Sequence, residues 1–269
     1  MADDLHDFDK SSFTHEGKTK DLYRSGTGPA VIVLAEIPGI TPKAADFARR
    51  VAALGCSAVM PQLFGVPGAE PRMKAMAGAA RGCISKEFAA FATGRTAPVT
   101  TWLRALAEHE HKRCGGPGVG AVGMCFTGGF ALGMAVHPSV LAPVMSQPAL
   151  PIGLTKKARG DLHLSPDDLA AVKARAADDE LCVIGLRFHG DRGVPPERFA
   201  RLRRELGAAF VGVELPKAKG SVLPTAHSVL TEDLIDEPGE PTRDALEQVL
   251  QFFRDRLLLG DPPSPAPSP

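Results

Sequence analysis

The chain has 269 residues, 44% hydrophobic and 23% charged, which allows a sizeable core and suits one large α/β domain. Lys and Arg together number 31, as do Asp and Glu, so the formal net charge is zero and no electrostatic case arises for nucleic acid or an anionic membrane surface. No apolar run approaches the roughly 18 residues of a membrane-spanning helix, and the start, Met1-Ala2-Asp3-Asp4-Leu5-His6, lacks the basic and apolar regions of a signal peptide.

Residues 1–12 are polar and expected to be loose, and 13–24 read as an edge strand or hairpin closed by the turn Ser25-Gly26-Thr27-Gly28-Pro29. The β-branched apolar run 30–35 is the pattern of a strand buried on both faces. It ends in Glu36-Ile37-Pro38-Gly39, after which Thr41-Pro42 supplies an N-cap and a proline at the first helical position for a helix over 42–54. A short strand at 57–61 follows. Residues 62–95, irregular and rich in Gly, Ala and Met, form an excursion placed to roof a pocket.

A helix is expected over 98–113, broken by Gly115-Gly116-Pro117-Gly118. The stretch from Val119 to Val136 then passes from a strand-type apolar run, through Gly123-Met124-Cys125-Phe126-Thr127-Gly128-Gly129, into helix-type residues. This is the layout of a nucleophile elbow, a strand-turn-helix that lifts a reactive side chain above a sheet. Strands at 140–145, 181–188 and 209–215 alternate with helices beginning near Ser165-Pro166 and spanning 196–206, and a last amphipathic helix covers 241–259. The domain therefore runs over 1–260, and the Pro/Ser-rich tail 261–269 is expected to be disordered.

Strands separated by helices imply an α/β fold with a mostly parallel sheet covered on both faces. In such sheets chemistry lies beyond the carboxyl ends of the strands. Those positions hold Glu36, Cys125, Asp191 and, in the loop after the last strand, His227. Nucleophile, acid, histidine is the chain order of the α/β hydrolases. Only a thiolate attacks, so Cys125 needs a base; His227 takes the proton, and Asp191 orients the imidazole.

The combination resembles the dienelactone hydrolase family, a cysteine-using branch of the α/β-hydrolase fold. The resemblance spans roughly 25–257 and is carried by Ala35-Glu36-Ile37-Pro38-Gly39, the elbow 123–129, Gly190-Asp191-Arg192-Gly193-Val194-Pro195 and Ala226-His227-Ser228. It implies a Cys125-His227-Asp191 triad, with Glu36 as the resting partner of the thiol, accepting its proton when substrate arrives. The oxyanion hole it implies uses the backbone N–H groups of Phe126 and Ile37, because Pro38 has none. Cleavage of a small ester or lactone, through an acyl-enzyme on cysteine, follows as the expected activity. Two positions depart from the family: Thr127 stands where glycine is frequent, and His189 beside Asp191 offers a competing imidazole.

Other features weigh less. Gly118-Val119-Gly120-Ala121-Val122-Gly123 matches a dinucleotide motif by letter, but its glycines span the strand instead of following it. In His109-Glu110-His111 the two histidines lie two apart, on different sides of a helix, so the stretch reads as a solvated helix end and not a metal pair. Arg81, Arg95 and Trp102 lie in or beside the 62–102 region and are candidates for holding a substrate. Five scattered cysteines resemble neither a disulfide framework nor a zinc cluster, so a reduced cytoplasmic protein with no metal and no cofactor is expected. Its partner is a small ester or lactone, with the chain a monomer or weak homo-oligomer. A class I glutamine amidotransferase-like enzyme and a non-catalytic binding or redox-sensing protein of the same fold remain alternatives.

Overall fold

The computed structural model describes residues 2–70, 87–88, 94–149, 156–178, 181–216 and 226–258. Its strands are β1 (Asp9–His15), β2 (Lys18–Ser25), β3 (Ala30–Leu34), β4 (Ser57–Pro61), β5 (Val119–Met124), β6 (Val140–Ser146), β7 (Val183–Phe188) and β8 (Phe210–Leu215). All eight form one sheet in the order β1-β2-β4-β3-β5-β6-β7-β8. The hairpin expected at 13–24 forms as β1 and β2, antiparallel to each other, but β1 starts earlier, at Asp9, inside the stretch expected to be loose; β2 is antiparallel to β4, and every later pairing is parallel.

The principal helices are α1 (Pro42–Ala53), α2 (Pro98–Cys114), α3 (Gly128–Met134), α4 (Pro166–Ala177), α5 (Pro196–Leu206) and α6 (Pro241–Phe253). Thr41 caps α1 by accepting from the Ala44 N–H at 3.2 Å, and Ser165 caps α4 by accepting from Asp168 N–H at 3.1 Å. Each hydroxyl satisfies one amide that the helix itself cannot reach. The expected helix 241–259 is α6 followed by a wider π-type turn, Arg254–Leu258.

Alternation along the strands divides the core into two layers. Ala30, Ile32 and Leu34 of β3 face one layer, with Trp102 and Leu103 of α2, Phe130 of α3 and Phe199 of α5. Val31 and Val33 face the other, with Phe47 and Val51 of α1 and Leu246 and Phe253 of α6. A sheet buried on both sides must be apolar at every position, which is why β3 and β5 read as unbroken apolar runs.

At one edge α2 is locked to the hairpin. Glu110, expected at a solvated helix end, is instead fully buried and receives Arg24 Nε at 3.2 Å and Arg113 Nε at 2.7 Å. Burial drives its carboxyl up, but hydrogen bonds from the two guanidinium groups outweigh that and leave it below its ordinary value. Among the described residues no helix is long and apolar enough to cross a membrane. The expected roof, 62–95, is described only at 62–70, 87–88 and 94–95, and the tail 261–269 lies outside the described residues.

Candidate active site

The elbow forms where β5 ends. Cys125 adopts φ +54, a left-handed backbone that a non-glycine residue rarely takes, and the chain turns at once through a single 3-10 turn into α3. The turn is tight enough that a Cβ on Gly123 would sit 2.1 Å from the Thr127 carbonyl oxygen, so glycine is required there. On the exit side the Cys125 carbonyl accepts from Ala149 N–H at 3.0 Å, joining the elbow to the loop after β6.

Thr127 turns out to be a strut of this turn. Its Oγ1 accepts from Met124 N–H at 2.8 Å and lies 2.8 Å from the carbonyl oxygens of both Leu34 and Met124, one of which takes its proton. A helical backbone (φ −79) tolerates the branched side chain, so the departure from glycine leaves the turn intact and ties β5 to β3.

Parallel register brings the next group alongside. Leu34 of β3 pairs with Gly123 of β5, so Glu36 and Cys125, each two residues further on, emerge side by side. The Glu36 side chain is buried, and both its oxygens accept hydroxyl hydrogen bonds, from Ser228 Oγ at 2.8 Å and from Thr231 Oγ1. Hydroxyl donors thus compensate the burial of this carboxylate.

Asp191 follows β7, and His227 lies in the loop after β8. His227 Nδ1 is 2.7 Å from Asp191 Oδ2; a carboxylate only accepts, so Nδ1 carries the proton and Nε2 is left for the thiol. Asp191 is itself held by Gly193 N–H, which donates to Oδ1 at 2.8 Å. One ligand atom each of Glu36, Cys125 and His227 lie within 4.8 Å of one another. Burial pulls the His227 imidazole down, but the charge of Cys125 and the hydrogen bonds with Asp191 and Cys125 outweigh it and push its pKa up to about 11.

The structure therefore gathers Cys125, His227, Asp191 and Glu36 at one place. Phe126 and Ile37 follow Cys125 and Glu36 directly and occupy the same paired strand ends. His189 does not compete: its side chain is largely exposed, with Nδ1 3.8 Å from Glu214. Trp102 departs from the expected substrate contact. It is 1% exposed, packs edge-on against Phe13 and donates Nε1–H to the Lys18 carbonyl at 3.0 Å, so it serves the core and the hairpin and not a substrate. Arg95 is exposed ahead of α2, and Arg81 lies outside the described residues.

Several supporting residues were not legible as such. Asp233 Oδ2 accepts from the N–H groups of both His227 (2.7 Å) and Ser228 (2.9 Å), fixing the histidine loop from below. Ser228, Thr231 and Asp233 crowd six positions after a candidate histidine, a density of capping residues that marks a built turn. Gln147, buried at φ +33 just past β6, accepts from Val229 N–H at 3.2 Å. Arg198 of α5, also buried, donates from Nε to the Asp161 carbonyl at 2.9 Å and from Nη1 to the carbonyls of Pro148 (2.5 Å) and Gly193 (3.3 Å). Burial lowers its pKa to about 10 in spite of the nearby Asp161 and Asp191.

Residues 20–162, more than half of the chain, match the model of the dienelactone hydrolase family. No curated protein sequence is detectably similar. Among solved structures, a Klebsiella pneumoniae protein assigned as a dienelactone hydrolase superposes with a TM-score of 0.62 at 20% identity, covering 91% of this chain and 97% of its own. A dienelactone hydrolase from Anabaena variabilis gives 0.59 at 16% identity, covering 94% of this chain and 100% of its own. A dienelactone hydrolase-like promiscuous phosphotriesterase from metagenomic libraries gives 0.61 at 16%, covering 93% and 98%. At these identities the structural likeness establishes the fold.

Proposed function

The chain belongs to the dienelactone hydrolase family and is a carboxylic ester hydrolase, and from that premise we propose that it cleaves a small ester or enol lactone through an acyl-thioester on Cys125. The observation that carries this is the convergence of four strand ends: Cys125 on its strained elbow, Glu36 beside it, and His227 bonded to Asp191 at 2.7 Å.

In this reading the thiol proton passes to His227 and the sulfur attacks the substrate carbonyl. The resulting oxyanion is met by the backbone N–H groups of Phe126 and Ile37. The imidazolium, stabilised by Asp191, then donates its proton to the leaving alkoxide, and the C–O bond breaks to give the acyl-thioester. A water deprotonated by His227 hydrolyses that intermediate and restores the thiol. Glu36 serves as the thiol's resting partner: when substrate enters it accepts the thiol proton and hands that same proton on to His227, and the Ser228 and Thr231 hydroxyls hold its carboxylate in place for the exchange. The described cysteines, Cys56, Cys114, Cys125 and Cys182, are all free, which supports a reducing, cytoplasmic location.

Turnover of p-nitrophenyl acetate tests the reading. Cys125→Ala and His227→Ala should each remove turnover, and Asp191→Asn should lower kcat on the order of 10⁴-fold, as when the histidine tautomer is lost in a triad. Undiminished turnover in Cys125→Ala would refute the cysteine nucleophile. Absence of turnover with every short ester and lactone would instead favour a binding protein.

A further inference from the structure

We propose that Cys125, His227 and Glu36 together form a Zn²⁺ site whose occupancy silences the thiol. The three residues offer one sulfur, one nitrogen and one carboxylate oxygen, all within 4.8 Å of one another. A tetrahedral zinc, with bonds of about 2.0–2.3 Å, sets its ligand atoms roughly 3.5 Å apart. Closing that difference takes movements of about an ångström, within the reach of side-chain rotation.

The surroundings are those of a metal site. Asp191 holds the proton of His227 on Nδ1 at 2.7 Å and leaves Nε2 free to ligate, the carboxylate–histidine arrangement that orients imidazoles on zinc. Glu36 is fixed by two hydroxyl donors and is already 94% removed from solvent, with 6% exposed, so much of the desolvation that binding requires is already met. Cys125 and His227 are only half-buried, which leaves an approach to the site and a fourth coordination position for water. Sulfur and imidazole select zinc over magnesium or calcium, which prefer all-oxygen sites. Positions 36, 125 and 227 show no ligand spacing in the sequence; only the sheet brings them together.

Cys125 binds as the thiolate and His227 as the neutral imidazole, and the proton shared by that pair passes to buffer. The metal then occupies the sulfur lone pair and the Nε2 that attack and proton transfer require. Binding stands on geometry alone; only its effect on turnover rests on the hydrolase reading above.

The experiment titrates the full chain with Co²⁺, a spectroscopic stand-in, and then displaces it with Zn²⁺. We expect one saturable site per chain, with a sulfur-to-cobalt charge-transfer band and tetrahedral visible bands. The charge-transfer band disappears in Cys125→Ala, Zn²⁺ affinity falls at least tenfold in Glu36→Gln, and it falls 10–100-fold in Asp191→Asn, the range seen when a ligand's outer partner is removed. Circular dichroism of each variant separates a lost site from a lost fold, and Cys125→Ser serves if the alanine variant does not fold. Zn²⁺ added to the wild type stops p-nitrophenyl acetate turnover, and EDTA restores it. Saturable binding unchanged in Cys125→Ala overturns the proposal, as does the absence of saturable binding in protein that turns the ester over. Binding that depends on Cys125, in protein with no turnover of any ester, supports the metal site while refuting the hydrolase reading.

Discussion

Thr127 shows how one hydroxyl can carry a turn. At the last residue of β5, where the chain turns into the elbow, the Thr127 Oγ1 accepts the Met124 N–H at 2.8 Å. Thr127→Val keeps the shape but removes that acceptor from a fully buried amide, which should cost about 1–3 kcal/mol. Urea denaturation of the two proteins measures the difference. Ester turnover should fall as well, because the amide lies one residue before Cys125; a variant as stable and as active as wild type would mean the hydroxyl is idle. Thr127 could not be assigned this role in advance. Its acceptor function depends on where the Leu34 and Met124 carbonyls stand, and no local pattern records that.

At the scale of elements, α5 is the brace for the acid side of the site. Its Arg198 is buried and hydrogen-bonds the carbonyls of Asp161, Pro148 and Gly193 from one guanidinium. Those bonds join the loop after β6, which carries Ala149 against the Cys125 carbonyl, to the 191–193 turn that presents Asp191. Arg198→Met retains the length of the stem and leaves three carbonyls without their donor. Its expected effect is a loss of roughly 2–3 kcal/mol in chemical denaturation, in the range of hydrogen bonds from a charged group. A fall in kcat should exceed any change in KM, since the turn positions the triad acid. Equal stability of Arg198→Met and wild type would contradict this assignment. In sequence the residue looks like any other arginine of an amphipathic helix, Pro-Glu-Arg-Phe-Ala-Arg-Leu-Arg-Arg. Periodicity distinguishes the inner face of the helix, but not an inward arginine that finds carbonyls from one that lies on the surface.

Over the whole molecule, the coupling of Cys125 and His227 links stability to pH. The folded pKa of His227, about 11, lies above its reference value of 6.5. A raised pKa means that the folded state holds the proton more tightly, so the contribution is complete below the unfolded value. It is then lost as pH rises through about 11. Melting temperature should therefore decline on the alkaline side, and Cys125→Ala, which removes the charge and one hydrogen bond that raise His227, should show a flatter decline. Parallel melting curves of the two proteins across that window would contradict the coupling.

The boundary between what could be read and what could not follows the range of the forces involved. By itself, the order of residues determined the strand-helix alternation, the glycines that an elbow requires, and the four strand ends carrying Glu36, Cys125, Asp191 and His227, because periodicity and turn sterics act within a few residues. Trp102 and Glu110 went the other way: an indole and a carboxylate that read as a substrate contact and a solvated charge are buried against the β1–β2 hairpin. Their partners, Lys18 and Arg24, are more than eighty positions away. The same is true of the hydroxyls on Glu36, the carbonyls on Arg198 and the common ground of sulfur, nitrogen and oxygen at the site. Tertiary structure alone decided these, because burial and hydrogen bonding depend on which distant segments the sheet sets side by side.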